Sequence, residues 1–282
     1  MMDFNKDMME KIVQHKNLNE LEFKKEWKKF MNYDCNTNKN SFCGNKLLYH
    51  SQMKELCNTK RYGKKSLYEI CENEEYYNEL AKQTEQRSRT GSWENRLFEC
   101  WRINNGSITF FKPTQASYIL KKYKATKVLD PTAGWGGRAM ACHKLGIDYI
   151  GIDTNTNLKE GYKKLFGENY ETETKIKMLW KSCLDVDYSK LDYDFCLTSP
   201  PYENIEIYSK MSLWCCSNDF YLNFLIPLLE KIIKYNKGYT VFNISPQMYK
   251  KLTEKYKFRK CKFKEDLKEQ KNGKTPDNLY FW

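Results

Sequence analysis

The sequence predicts an α/β fold, a mostly parallel sheet covered by helices, with a mainly helical module before it. Three observations predict it. From about residue 108, apolar runs of strand length alternate with helix-length amphipathic stretches. The run Val128-Leu129-Asp130 enters a Gly-rich turn, Pro131-Thr132-Ala133-Gly134-Trp135-Gly136-Gly137. A later run, Phe195-Cys196-Leu197-Thr198, stops at Ser199-Pro200-Pro201-Tyr202. Two prolines lack ladder donors and fix their own φ, so a central strand ends there.

The elements follow in order. Residues 3–31 carry one or two amphipathic helices, with Met8, Ile12 and Val13, then Leu21, Phe23, Trp27 and Phe30 near helical spacing. Polar residues 32–40 interrupt them. Helical stretches over 46–58 and 66–86 lead to a small, charged segment at 86–92, read as a loop or hinge. Residues 1–105 form the helical module and 106–282 the sheet domain. In that domain 126–130 is a strand, 138–145 a helix, and 148–153 a strand ending in Asp153. A helix at 156–166, a short strand at 176–180 and a strand at 194–198 come next. The strongly apolar helix 220–235 precedes a strand at 238–244, and 255–264 with 278–282 closes the sheet as an antiparallel pair. Such βα repeats place ligands at the carboxyl ends of the strands.

Composition narrows the partners. The 282 residues hold 48 Lys/Arg against 36 Asp/Glu, a net charge of +12. Residues 126–230 carry 11 Lys/Arg against 15 Asp/Glu, whereas 231–282 carry 14 against 5. An acidic centre between basic ends fits a cofactor domain with polyanion-binding flanks, so nucleic acid is the expected partner. No apolar run reaches the ~18 to 20 residues of a membrane span, and no signal-peptide core follows Met1. A soluble intracellular protein, cytoplasmic or nuclear, is expected, in the host cell if the source is viral. The eleven cysteines show no C-x-x-C spacing, Cys215 and Cys216 being adjacent, so reduced thiols are expected and no metal site. A protein partner or a homodimer stays open.

The strand ends carry the chemistry. Glycines at 134, 136 and 137 permit a tight turn and close ligand approach, ahead of a helix amino terminus. Neither a phosphate-binding G-x-G-x-x-G nor a Gly-Lys-Ser/Thr follows. Asp153 ends the next strand, where a carboxylate accepts both hydroxyls of a ribose. The same pairing serves NAD, and a mere helix cap is the plainer alternative. Ser199-Pro200-Pro201-Tyr202 separates these readings. Methylating a conjugated amine requires both its protons to be accepted, so that the nitrogen lone pair points at the methyl donor. Ser199 offers a side-chain oxygen, Pro200 a carbonyl, and Tyr202 a ring to stack on a base, all held by stiff prolines.

These residues resemble those of the exocyclic-amino DNA methyltransferases, the N6-adenine and N4-cytosine enzymes, over roughly residues 108–245. Thr198-Ser199-Pro200-Pro201-Tyr202 is similar to their (D/N/S)-P-P-(Y/F) motif. Asp130-Pro131 with Gly134 and Gly136 resembles their D-P-F-x-G-x-G turn, with Thr132 in place of phenylalanine and an unusual Trp135. Phe111-Lys112-Pro113-Thr114-Gln115 resembles the segment that touches the methionine end of the cofactor. The resemblance implies a Rossmann-like sheet, S-adenosylmethionine as cofactor, and transfer of its methyl group to an amine of a DNA base. It implies Ser199, Pro200, Pro201 and Tyr202 as catalytic. It assigns Phe111, Pro113, Thr114, Asp130, Pro131, Thr132, Gly134 and Gly136 to the cofactor, with Asp153 on ribose and Asp185 on adenine.

Cofactor segments precede the catalytic motif, as in the γ arrangement of that family. The short span from Asp130 to Ser199 leaves no room for a recognition domain. Recognition then falls to residues 1–105, to the loop 203–214, or to the basic carboxyl end. Arg87, Arg89, Arg96 and Arg102, interleaved with Trp93, Phe98 and Trp101, are candidates for phosphate and base contacts, with a helical packing module as the equal alternative. Serine at the first motif position leans slightly toward cytosine. RNA-base or protein-glutamine methylation and a degenerate nucleic-acid-binding subunit are the rival readings.

Overall fold

The computed structural model describes residues 7–37, 41–87, 90–106, 108–208, 211, 217–267 and 278–282. Its strands are β1 (Lys60–Arg61), β2 (Lys127–Asp130), β3 (Asp148–Ile152), β4 (Ile176–Leu179), β5 (Phe195–Thr198), β6 (Glu206–Ile207), β7 (Tyr239–Ile244), β8 (Phe263–Asp266) and β9 (Asn278–Phe281). Seven form the central sheet in the order β4-β3-β2-β5-β7-β9-β8, and β1 pairs with β6 in a separate ribbon. The first five are parallel; β9 runs antiparallel to both β7 and β8. From β2 the chain builds outward through β3 and β4, then returns to β5 and builds the other way. The crevice between β2 and β5 is therefore the switch point where such sheets bind ligands.

Period-two alternation along the strands supplies both layers of core. Val128, Phe195, Leu197, Val241 and Phe281 face one side, against helices Pro113–Lys122 and Gly137–Leu145. Leu129, Cys196, Phe242 and Ile244 face the other, where Leu228, Leu229 and Ile232 of helix Ile226–Tyr235 cover them. All nine strand residues are at most 1 % exposed. A three-layer α/β/α sheet results, Rossmann-like in plan.

The amino-terminal part contains helices Met8–Lys16, Glu20–Met31, Asn45–Asn58, Leu67–Cys71, Glu74–Gln86 and Trp93–Asn105. Side-chain caps start four of them: Asn19 and Ser66 in capping boxes with Glu22 and Glu69, and Asn73 and Ser92 as simple caps. Their apolar faces make one cluster that also takes in Met140 and Leu165 from the sheet domain. A polar tie reinforces the seam. Glu55, 4 % exposed, accepts from Asn155 Nδ2 at 2.6 Å and Asn157 Nδ2 at 3.2 Å. Lys144 Nζ donates to Phe30 O at 3.1 Å, placing a cation at the carboxyl end of helix Glu20–Met31.

The parallel strands fall where the sequence predicts them, within a residue or two. Two expectations need correcting, and one helix is new. The stretch 66–86 is two helices, because Asn73 caps a new start after Glu72. Residues 255–262 are not strand: Lys255 closes a helical segment, and Lys257 has φ 55 before the chain turns into β8 at Phe263. The helix Pro113–Lys122 was not anticipated, and Pro at its first position pre-sets its φ. Among the described residues no helix is long and apolar enough to cross a membrane. Arg89, Trp214, Cys215 and Cys216 lie outside the described residues.

Glu55→Ala should leave the buried Asn155 side-chain amide without its acceptor. We expect a loss of about 1–3 kcal/mol in urea unfolding; an unchanged midpoint would show that the tie contributes nothing.

Candidate active site

Asp130, the last residue of β2, is fully buried and accepts four side-chain hydrogen bonds. Arg138 Nε reaches its Oδ2 at 2.6 Å and Arg138 Nη2 its Oδ1 at 3.1 Å. Tyr149 OH donates at 2.8 Å and Thr198 Oγ1 at 2.7 Å. One carboxylate thus joins β2, β3, β5 and the helix after the Gly turn. Burial works against the Arg138 charge, but Asp130 more than offsets it and holds its pKa above the usual value. Burial first, and then Asp130, pushes the Tyr149 phenol well up. Both stay protonated donors. The expected cofactor contact of Asp130 is therefore corrected: its acceptor sites are filled from within the protein, and it does not face the cavity.

The turn that follows is tied to Asp153. Gly134 takes φ +56, which its lack of Cβ permits, and donates its amide to Asp153 Oδ2 at 2.8 Å. Asn155 N donates to Asp153 Oδ1, also at 2.8 Å. Burial raises the Asp153 pKa, and the two amides oppose the rise. Gly137 stands so close to Phe111 that a Cβ would fall 2.2 Å from the Phe111 carbonyl oxygen. That contact presses the segment before helix Pro113–Lys122 against the turn.

A cavity of about 1640 Å³ opens at the β2–β5 switch point. Pro131, Thr132, Gly134 and Asp153 line it on one side, with Phe111 above the turn. Ser199, Pro200, Pro201 and Tyr202 line it on the other. The ends of β2 and β5 thus share one space. Thr132 clamps them together: its Oγ1 lies 2.6 Å from Thr198 Oγ1 and donates to Ser199 O at 3.0 Å. Thr132 so replaces the usual phenylalanine with a polar link.

Other expected residues lie elsewhere. Pro113 and Thr114 are buried under the amino-terminal module, where Thr114 Oγ1 donates to Ser41 O at 3.1 Å. Gln115, two positions on from Pro113, does line the cavity. Gly136 packs toward Leu165 and Tyr162, and Asp185 is solvent-exposed beyond the lining residues Ser182, Cys183 and Leu184. Phe98 and Trp101 are buried in the helical core at 0 and 2 % exposure, so base stacking is closed to them. Arg102 is the one member of the candidate arginine set on the cavity wall among the described residues; it holds Glu99 at 3.0 Å through both carboxylate oxygens. Arg87 bonds Asn104 Oδ1, and Arg96 bonds Thr84 O.

Sequence reasoning missed three contributors. Asn243, near the end of β7, places its carbonyl oxygen 3.5 Å from Ser199 Oγ and 3.4 Å from Tyr202 OH. Trp135 sits between Phe110 and Tyr208, each ring centre 5.8 Å away. The β1–β6 ribbon, sealed by Tyr62 N donating to Ile205 O at 2.8 Å, fixes the loop after Tyr202 to the amino-terminal module. No periodicity flags a two-residue strand.

No protein-family model and no curated relative matches the chain. Solved structures do resemble it at low identity. A methyltransferase described as SAM-dependent, from Neisseria gonorrhoeae, is 13 % identical with a TM-score of 0.40, covering 63 % of this chain and 76 % of its own. An rRNA methylase from Streptococcus thermophilus is 11 % identical with a TM-score of 0.40, covering 62 and 97 %. The methyltransferase domain of a bacterial Hen1 is 14 % identical with a TM-score of 0.41, covering 60 and 95 %. Scores of this size lend no weight to an activity. The chain's own geometry has to carry it.

Asp130→Ala strands the buried Arg138 guanidinium. A loss of about 3–5 kcal/mol is expected in denaturant unfolding; a loss under a third of that would place the strand-end tie elsewhere.

Proposed function

We propose that the protein transfers a methyl group from S-adenosylmethionine to an exocyclic amine of a DNA base, N4 of cytosine or N6 of adenine. One observation carries the reading: Ser199, Pro200 and Tyr202 face the same cavity as Asp153 and Gly134, across a single switch point. The cavity, about 1640 Å³, exceeds the roughly 300–1,000 Å³ of a typical small-molecule site, which suits a cofactor together with a base.

The residues fit the cofactor. Asp153 uses its two oxygens for two amides and keeps lone pairs for ribose hydroxyls. Gly134, without a side chain, lines the cavity together with Cys183 and Leu184. When bound, the cofactor supplies an electrophilic methyl group.

The acceptor side follows from hydrogen-bond accounting. The Ser199 hydroxyl donates its own proton toward Asn243 O, so its oxygen is left to accept from the amine. The Pro200 carbonyl accepts the second amine proton. Both acceptors then turn the nitrogen lone pair away from themselves and toward the cofactor side. The Tyr202 ring, with its hydroxyl anchored on the same Asn243 oxygen, stacks on the base. After attack the cationic nitrogen releases one proton to solvent, so no strong general base is required. A duplex substrate has to extrude its base to reach this depth. The net charge of +12, with Lys29, Lys46 and Lys112 on the cavity wall, favours a polyanion over a small neutral substrate.

The test is labelled S-adenosylmethionine incubated with the full chain and with DNA, RNA and protein pools. Label in DNA as N4-methylcytosine or N6-methyladenine is expected by mass spectrometry. Label only in RNA or protein would replace the substrate, and no label with no cofactor binding would favour a degenerate subunit. Ser199→Ala and Tyr202→Ala should each bind S-adenosylhomocysteine normally while turnover drops roughly 10²-fold or more. Unchanged turnover would refute the site.

A further inference from the structure

One buried polar atom beside the motif has no hydrogen-bond partner among the described residues: the side-chain Oδ1 of Asn243. Asn243 is 8 % exposed and lines the cavity. Its position follows from sheet register. Thr198 pairs with Phe242, so the next residue on β7 stands beside Ser199 where β5 ends. The rest of Asn243 is engaged there: Nδ2 lies 3.5 Å from Ser199 Oγ, and the main-chain oxygen holds Ser199 and Tyr202. Of the two polar atoms of its side chain, Nδ2 has a partner among the described residues and Oδ1 has none.

An acceptor buried without a donor is costly, on the order of tenfold in any equilibrium that leaves it empty. A donor arriving with the substrate removes that cost. In an amine clamp the donors that arrive with the substrate are the amine's own N–H groups.

We propose that Asn243 is a specificity-determining residue whose Oδ1 accepts an N–H of the exocyclic amine seated at Ser199. The inference rests on the amine-methylation reading above. The proton on the Ser199 side meets two oxygens, Ser199 Oγ and Asn243 Oδ1, in a three-centre bond, and the other proton meets Pro200. Ser199 Oγ has one lone pair engaged by Asn243 Nδ2, so a second oxygen on the same proton compensates. A base of the same shape without the amine leaves Oδ1 empty and is rejected, as sites built to bond a polar group reject the analogue that lacks it.

The experiment compares paired probes that differ by this one group. Thymine oligonucleotides carry a single central adenine or purine, or a single cytosine or 2-pyrimidinone. Their affinities are measured by competition anisotropy with S-adenosylhomocysteine present. Wild-type protein should prefer the amine-bearing member of at least one pair by roughly tenfold. Asn243→Leu should erase the preference, and Asn243→Ser should reduce it, with S-adenosylhomocysteine affinity by calorimetry unchanged in both. Should the leucine variant fail to bind S-adenosylhomocysteine, the serine variant decides. Preference retained by the variants overturns the role of Asn243 and leaves the methylation reading standing. No preference in the wild type overturns both.

Discussion

Everything at the centre of this molecule hangs on how Asp130 is satisfied. A buried carboxylate is tolerable only when paired and fully hydrogen-bonded. Here the donors come from Arg138, Tyr149 and Thr198, each on a different element. That demand fixes the distance between the β2 end, which carries the Gly turn, and the β5 end, which carries Ser199. Thr132 repeats the link one layer closer to the cavity. The two halves of the site are thus held in register by polar bonds within the sheet rather than by the loops that line the cavity.

The sheet was largely legible in the sequence because its signals are local. Prolines at 200 and 201 and the glycines after Ala133 announce strand ends by chemistry that needs no partner. The apolar alternation in Val128-Leu129 and Val241-Phe242 announces two covered faces, and both are filled. The role of Asp130 was not legible, since a strand-end acid reads alike whether it faces a ligand or an arginine eight residues on. Pro113 and Thr114 resemble a family segment, yet both are buried and Thr114 bonds to Ser41 of the amino-terminal part. Phe98 and Trp101 looked like base contacts by composition; helical spacing toward a core claimed them instead.

Asn243 illustrates the other limit. Nothing about Phe242-Asn243-Ile244 as a string marks the asparagine, which sits in an apolar strand. Its meaning comes from register: pairing with β5 brings it beside Ser199, and a slip of one residue would put Phe242 or Ile244 there instead. Register is a tertiary fact. The same holds for Trp135, whose neighbours Phe110 and Tyr208 arrive from either side of the sheet domain.

The ribbon of Lys60–Arg61 with Glu206–Ile207 bears on how such a protein can diversify. The loop following Ser199-Pro200-Pro201-Tyr202 takes its partner strand from the helical part of the chain, with Arg61 Nε 3.5 Å from Glu206 Oε1. Modules joined only by a linker are free to be exchanged in a lineage, each keeping its own function. Here they are not. A sheet domain recombined with a different leading segment would inherit its β2–β5 crevice whole and the loop after Tyr202 unpaired. The two parts are therefore expected to be inherited as one unit, changing together or not at all.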